Sequence, residues 1–141
     1  MSDIWVRYND PKNFTGDRLA FNEPHESVWY PSAAIPYVKD IVYDIMCRVK
    51  GERLGGILIT KLPAGRQCYP HIDGGWHAKY YDKYAVQLAG HPLQSFNVGN
   101  EKLVTKAGDV FQFENDVIHW VENNSPEDRI TLIVCIRSDR G

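Results

Sequence analysis

Tyr84–Glu114 reads YAVQLAGHPLQSFNVGNEKLVTKAGDVFQFE, and its punctuation decides the fold. Short runs rich in β-branched and aromatic residues, Tyr84–Ala89, Ser95–Val98, Glu101–Thr105 and Asp109–Glu114, are cut by Gly90-His91-Pro92, Gly99-Asn100 and Ala107-Gly108. Such spacing leaves no room for a helix and predicts successive strands. The same pattern extends outward on both sides, giving Gly56–Leu62, Gln67–Ile72, Ile118–Glu122 and Arg129–Ser138. Strands that follow one another without crossover helices exclude a parallel α/β sheet. The fold expected is mainly β, a double-sheet jelly roll.

Upstream the pattern changes. Ile35, Val38, Ile41, Val42, Ile45, Met46 and Val49 recur at helical spacing, and Ser32 as N-cap, Pro36 in the first turn and Gly51 as a stop predict one amphipathic helix over Pro36–Lys50. A stripe of this kind is read as core packing. From Met1 to Tyr30 the aromatics Trp5, Tyr8, Phe14, Phe21, Trp29 and Tyr30 follow no sustained period, which predicts a wrapping segment. The chain therefore reads as a single domain over 1–141: an N-terminal wrap at 1–33, a supporting helix at 34–51 and a jelly-roll core at 54–138.

With 141 residues, 43% of them hydrophobic, there is apolar material for one real core. A net charge of −2 without any basic run argues against a dedicated nucleic-acid binder. Cys47, Cys68 and Cys135 contain no C-x-x-C pair, which argues against a disulfide framework or a cysteine-rich zinc site. The Met1–Arg7 stretch has no apolar run of secretory length, and no segment approaches the ~20 apolar residues of a membrane span. A cytoplasmic protein is expected, working without membrane or nucleic acid as a monomer or homodimer.

His71 and Asp73 form an H-x-D pair, with His119 downstream and Arg129 ten residues further. Side chains two apart on an extended segment point the same way, so His71 and Asp73 can grip one ion together. A third donor on another strand completes a face. Two imidazoles and one carboxylate with open positions opposite are the facial triad of non-haem Fe(II) oxygenases. Singly, Asp73 before Gly74 reads as a turn residue and each histidine as a half-buried strand residue; jointly they read as a metal site. On the last strand Arg129 shares a face with Thr131, Ile133 and Cys135, while Ile130, Leu132, Val134 and Ile136 form the more apolar face. The polar run Asn123–Asp128 is read as the turn of an antiparallel hairpin that sets His119 and Arg129 on one inner surface. A guanidinium apart from the metal offers a planar fork for a carboxylate, and the slot fits a dicarboxylate such as 2-oxoglutarate.

The block His71-Ile72-Asp73, Gly108-Asp109-Val110, His119-x9-Arg129 and the run Arg129–Val134 resembles the Fe(II)/2-oxoglutarate-dependent dioxygenases. It is most similar to the aspartyl/asparaginyl β-hydroxylase branch, over about residues 54 to 138. The resemblance implies a cupin-like jelly roll (double-stranded β-helix), Fe(II) held by His71, Asp73 and His119 as the catalytic group, and Arg129 on the distal carboxylate of 2-oxoglutarate. It also matches Lys83 and Thr60 to positions near that cosubstrate. The implied reaction consumes O2, releases succinate and CO2, and hydroxylates a small molecule, an amino acid or a peptide. The chain departs from the branch in keeping Asp73 where some members lack a carboxylate ligand, and in lacking their Arg-rich stretch after the first histidine.

Two rival classes remain open on the sequence. Gly65-x5-His71 and Gly108-x10-His119-x3-Asn123 keep the spacing of a metal-binding cupin that does not use 2-oxoglutarate, whether an isomerase, another dioxygenase or a ligand-binding module. Such a cupin has Asp73 where a second histidine belongs and gives Arg129 no task. A non-catalytic β-sandwich with incidental histidines is the other. The loop Gly74–Lys83 reads either as a mobile cover or as a packed surface loop; His77 is read as a substrate contact or surface residue rather than a spare ligand, and His25 and His91 as exposed.

Overall fold

The alternation read on the last strand is built into two sheets. The structure, a computed structural model, describes residues 1–14 and 22–138; Phe21 of the aromatic series lies outside the described residues. Its elements are β1 (Ser2–Asn9), β2 (Ser27–Trp29), α1 (Val38–Arg48), β3 (Gly51–Leu62), β4 (Gln67–His71), α2 (Gly75–Tyr80), β5 (Asp82–Ala89), β6 (Gln94–Val98), β7 (Glu101–Leu103), β8 (Val110–Phe113), β9 (His119–Asn123) and β10 (Arg129–Ser138). They form a six-stranded sheet, β2-β1-β3-β10-β5-β8, and a four-stranded sheet, β4-β9-β6-β7. All described pairs are antiparallel, and the fold is a jelly roll. No described helix is long and apolar enough to cross a membrane.

On β10 one face buries Leu132, Val134 and Ile136 against Ile57, Val6, Val42 and Ile45. α1 supplies Val38, Val42 and Ile45 to this cluster, and Ile41, Met46 and Val49 pack along its margin. The helix is thus an outer brace on the large sheet, as its stripe requires. Gly51 allows the brace to sit close: a Cβ there would meet Met46 Sδ at 2.6 Å and Ile136 Cγ2 at 2.7 Å.

Four expectations are corrected. Ser32 does not cap the helix: Pro31–Ala34 closes its own 3-10 turn, Ser32 Oγ donates to the Trp5 carbonyl, and the helix starts after Tyr37, whose φ is 68°. Pro36 explains this, because it pushes the residue before it out of helical backbone. Residues 2–9 are a strand rather than a wrap, paired with β3 from Ser2↔Lys61 to Arg7↔Ile57; a register shift between Trp5 and Arg7 breaks the alternation that would have revealed it. Within Gly74–Lys83 lies a second short helix, α2. Finally, β9 and β10 are not a hairpin. β9 pairs with β4 and β6, β10 with β3 and β5, so residues 124–128 cross from one sheet to the other, and His119 and Arg129 face each other from opposite walls.

Candidate metal centre

At the end of β4, His71 stands opposite His119 in the β4–β9 register, and Asp73 follows where the strand has ended. A donor atom from each of the three residues lies within 4.8 Å of the others. Both histidines are held in the same way. His71 Nδ1–H donates to the Tyr69 carbonyl and His119 Nδ1–H to the Val117 carbonyl, each at 2.8 Å. That contact fixes the tautomer and leaves each Nε2 lone pair free. The two Nε2 atoms are each 3.5 Å from an Asp73 oxygen. Asp73 is set by its main-chain N–H, which donates to the Asn115 carbonyl at 2.9 Å, and by Lys83 Nζ, 2.6 Å from Oδ2. Phe96 and Phe113 pack on the buried His119 ring, with centroids 5.9 and 5.3 Å away, while the His71 side chain is open to solvent. One donor atom from each of the three residues is close enough to the others to reach a single ion.

These residues open into a cavity of about 240 Å³ between the sheets, and Thr60, Lys83, Arg129 and Thr131 line it as well. Thr60 and Thr131 are register partners on adjacent strands, with Arg129 opposite Leu62 one step along the same face. Arg129 Nη1 donates to Thr131 Oγ1 at 2.8 Å. Its Nη2 and the Thr60 Oγ1 are buried without a partner among the described residues. Burial pushes the guanidinium down to about 10; a cation this enclosed, with no ion pair among the described residues, pays for its charge until an anion arrives. A hydroxyl and an N–H donor left empty in one cavity are complementary to a carboxylate.

The loop that delivers Arg129 is locked. Asn123 is fully buried, its Nδ2 donating to the carbonyls of Leu62, Pro63 and Glu127, and its Oδ1 accepting from the Ser125 N–H and hydroxyl. This residue belonged to the cupin-like spacing, and here it bonds main chain. Gln87 is likewise fully buried, donating to the Ala89 and Ile130 carbonyls and accepting from Thr105. The sequence singles out Asn123 only through that spacing and Gln87 not at all; the signal for both is their alternation with apolar neighbours toward the interior.

All six residues singled out for metal and cosubstrate, Thr60, His71, Asp73, Lys83, His119 and Arg129, line one cavity. Lys83 does so with its ammonium on Asp73. His77 stands apart: its Nε2 accepts from the Gly56 N–H at 3.1 Å, and its ring packs against Tyr8 and Tyr81. Burial, then His25 and Lys83, push it down to about 4, so it is neutral at physiological pH. His25 joins the cluster, edge-on to Tyr8 and Trp76, rather than lying exposed. Loop Gly74–Lys83 is therefore packed through Trp76, His77 and Tyr81. Burial pushes the Cys135 thiol up to about 12, which keeps it protonated and unreactive.

A sequence profile for the aspartyl/asparaginyl β-hydroxylases matches residues 17–138. The chain belongs to this family. No curated protein sequence matches it. Solved structures similar to this β-hydroxylase-family chain include a protein from Photorhabdus luminescens (16% identity, 60% of this chain and 62% of that one, TM-score 0.48). Others are a predicted oxalate decarboxylase from Thermotoga maritima (22%, 67% and 72%, 0.48) and a cupin protein from Bacteroides fragilis (18%, 61% and 68%, 0.48). The likeness spans less than two thirds of the Photorhabdus protein.

Proposed function

We propose that this protein is an Fe(II)- and 2-oxoglutarate-dependent hydroxylase acting on a small molecule or an amino-acid side chain. The observation that carries the reading is the pair of empty donors, Arg129 Nη2 and Thr60 Oγ1, in the same cavity as the His71, Asp73 and His119 donors. A metal alone would need the three ligands and leave the guanidinium without a use. A dicarboxylate that reaches both gives each its task.

His71, Asp73 and His119 would hold the iron, with imidazole and carboxylate donors that suit it. Arg129 and Thr60 would take the distal carboxylate of 2-oxoglutarate, the guanidinium being aimed by Thr131. Iron with 2-oxoglutarate, held by these residues, would supply the oxidative chemistry, with one oxygen atom of O2 going to succinate as CO2 leaves and the other to a substrate C–H bond. The protein's own contribution is placement. Main-chain carbonyls of Tyr69 and Val117 fix the imidazole tautomers; Asn115 and Lys83 orient Asp73; Phe96, Phe111 and Phe113 keep the His119 side of the cavity apolar. Lys83 has three donors, so its bond to Asp73 leaves others for the cosubstrate.

Anaerobic addition of Fe(II) and 2-oxoglutarate should give a weak visible charge-transfer band, lost in His119→Ala. Arg129→Lys keeps a charge but loses the fork, and should weaken 2-oxoglutarate binding while iron is retained. The second reading, a metal-binding cupin that does not use 2-oxoglutarate, draws on the same three donors. Bound iron that stays colourless with 2-oxoglutarate, together with unchanged behaviour of Arg129→Lys, would establish it instead.

A further inference from the structure

A second cavity, of about 400 Å³, adjoins the first and shares Asp73, Lys83 and Phe113 with it. Its outer wall includes the turn Glu114-Asn115-Asp116, between β8 and β9. The turn is tied directly to the metal group, since Asn115 carries the carbonyl that accepts from the Asp73 N–H. Asn115 is only 9% exposed, and its Nδ2 donates to nothing among the described residues. A buried amide with idle donors in a cavity wall points to a missing acceptor.

The charge around it is one-sided. Asp73 and Lys83 neutralise each other at 2.6 Å, which leaves Glu114 and Asp116 against Lys79 in the lining. The carboxylates of Glu114 and Asp116 are exposed and have no hydrogen-bond or ion-pair partner among the described residues. Two open carboxylates on either side of an idle amide select for a cation that also carries an acceptor oxygen.

We propose that this cavity holds the primary substrate, and that the substrate is a basic amino acid or a peptide with a basic side chain. Its ammonium or guanidinium lies on Glu114 and Asp116, and an amide or carboxylate oxygen accepts from Asn115 Nδ2. An aliphatic stem covers Phe113, a ring that lines both cavities, as apolar stems of basic groups do. This assignment rests on the hydroxylase reading of the neighbouring site, because a compound anchored here lies beside Asp73 and can present its C–H bonds to that site.

The test is calorimetric titration of the full chain with N-acetyl-arginine amide, N-acetyl-lysine amide and neutral N-acetyl-norleucine amide. The two cations should bind about tenfold more tightly than the neutral analogue, the range two exposed ion pairs supply. Added salt should weaken them selectively. The surface substitutions Glu114→Gln and Asp116→Asn together should bring the cations to the norleucine level, and Asn115→Ala should weaken all three analogues. Equal affinity for the three, no binding at millimolar concentrations, or cation binding that survives the double substitution overturns the proposal. The charge-transfer band of the unmodified protein decides the other question separately. A band with indifferent analogues removes only the substrate site; cation-selective binding without a band removes only the use of 2-oxoglutarate.

Discussion

The two faces of the six-stranded sheet share their strands and differ in every other respect. The outer face packs Ile57, Leu132, Val134 and Ile136 under α1. The inner face carries Thr60, Lys83, Arg129 and Thr131 around a cavity, with two buried donors unmatched. One residue step along β10 separates a side chain that stabilises the fold from one that costs stability until a ligand binds. Stability and binding are therefore divided by strand parity, and the division can be attacked by substitution.

The largest effect on stability is expected on the outer face. Leu132, fully buried, should cost about 2–5 kcal/mol when replaced by Ala, measured by urea unfolding; a loss well below that would mean the helix-braced face is not the core. Next comes the locked crossing between the sheets. Asn123→Ala frees the carbonyls of Leu62, Pro63 and Glu127 and should cost about 2–3 kcal/mol, with weaker 2-oxoglutarate binding because Arg129 loses its fixed position. Arg129→Met then separates the faces most sharply. Replacing an unpaired buried cation with an apolar side chain should leave the ligand-free melting temperature equal or higher, while 2-oxoglutarate no longer binds. A large destabilisation there would make Arg129 part of the scaffold.

A further expected effect appears only at acid pH. His77 is held at about 4 in the folded protein against 6.5 as its ordinary value. Between these the unfolded chain binds the proton and the folded one does not, so stability is fully present above pH 6.5 and falls as the pH drops toward 4. His77→Gln keeps an acceptor for the Gly56 N–H and should flatten the slope of melting temperature across that window; an unchanged slope would assign it to other groups.

Much of the candidate site was legible because its chemistry is local. His71 and Asp73 are two residues apart and meet just past the end of β4, and Arg129, Thr131 and Ile133 line the cavity as alternation on one strand requires. Reading failed where partners are distant. The turn at Asn123–Asp128 looks the same whether it joins two strands of one sheet or carries the chain between sheets; only the pairing of β10 with β3 and β5 decides. Likewise Lys83, which the sequence matches only to the cosubstrate, becomes the partner of Asp73 because the loop between them closes on itself.

What the sequence determined by itself was the inventory: which side chains alternate inward, which stripe needs a cover, and which residues can donate to a metal or a carboxylate. Tertiary structure alone decided the company they keep. It set His119 opposite Arg129 across a cavity, placed the Glu114–Asp116 turn against Asp73, and left Thr60 and Arg129 with donors to spare. The physical reason is that periodicity acts through neighbours along one strand, whereas desolvation and hydrogen-bond satisfaction depend on groups that meet only when the sheets close.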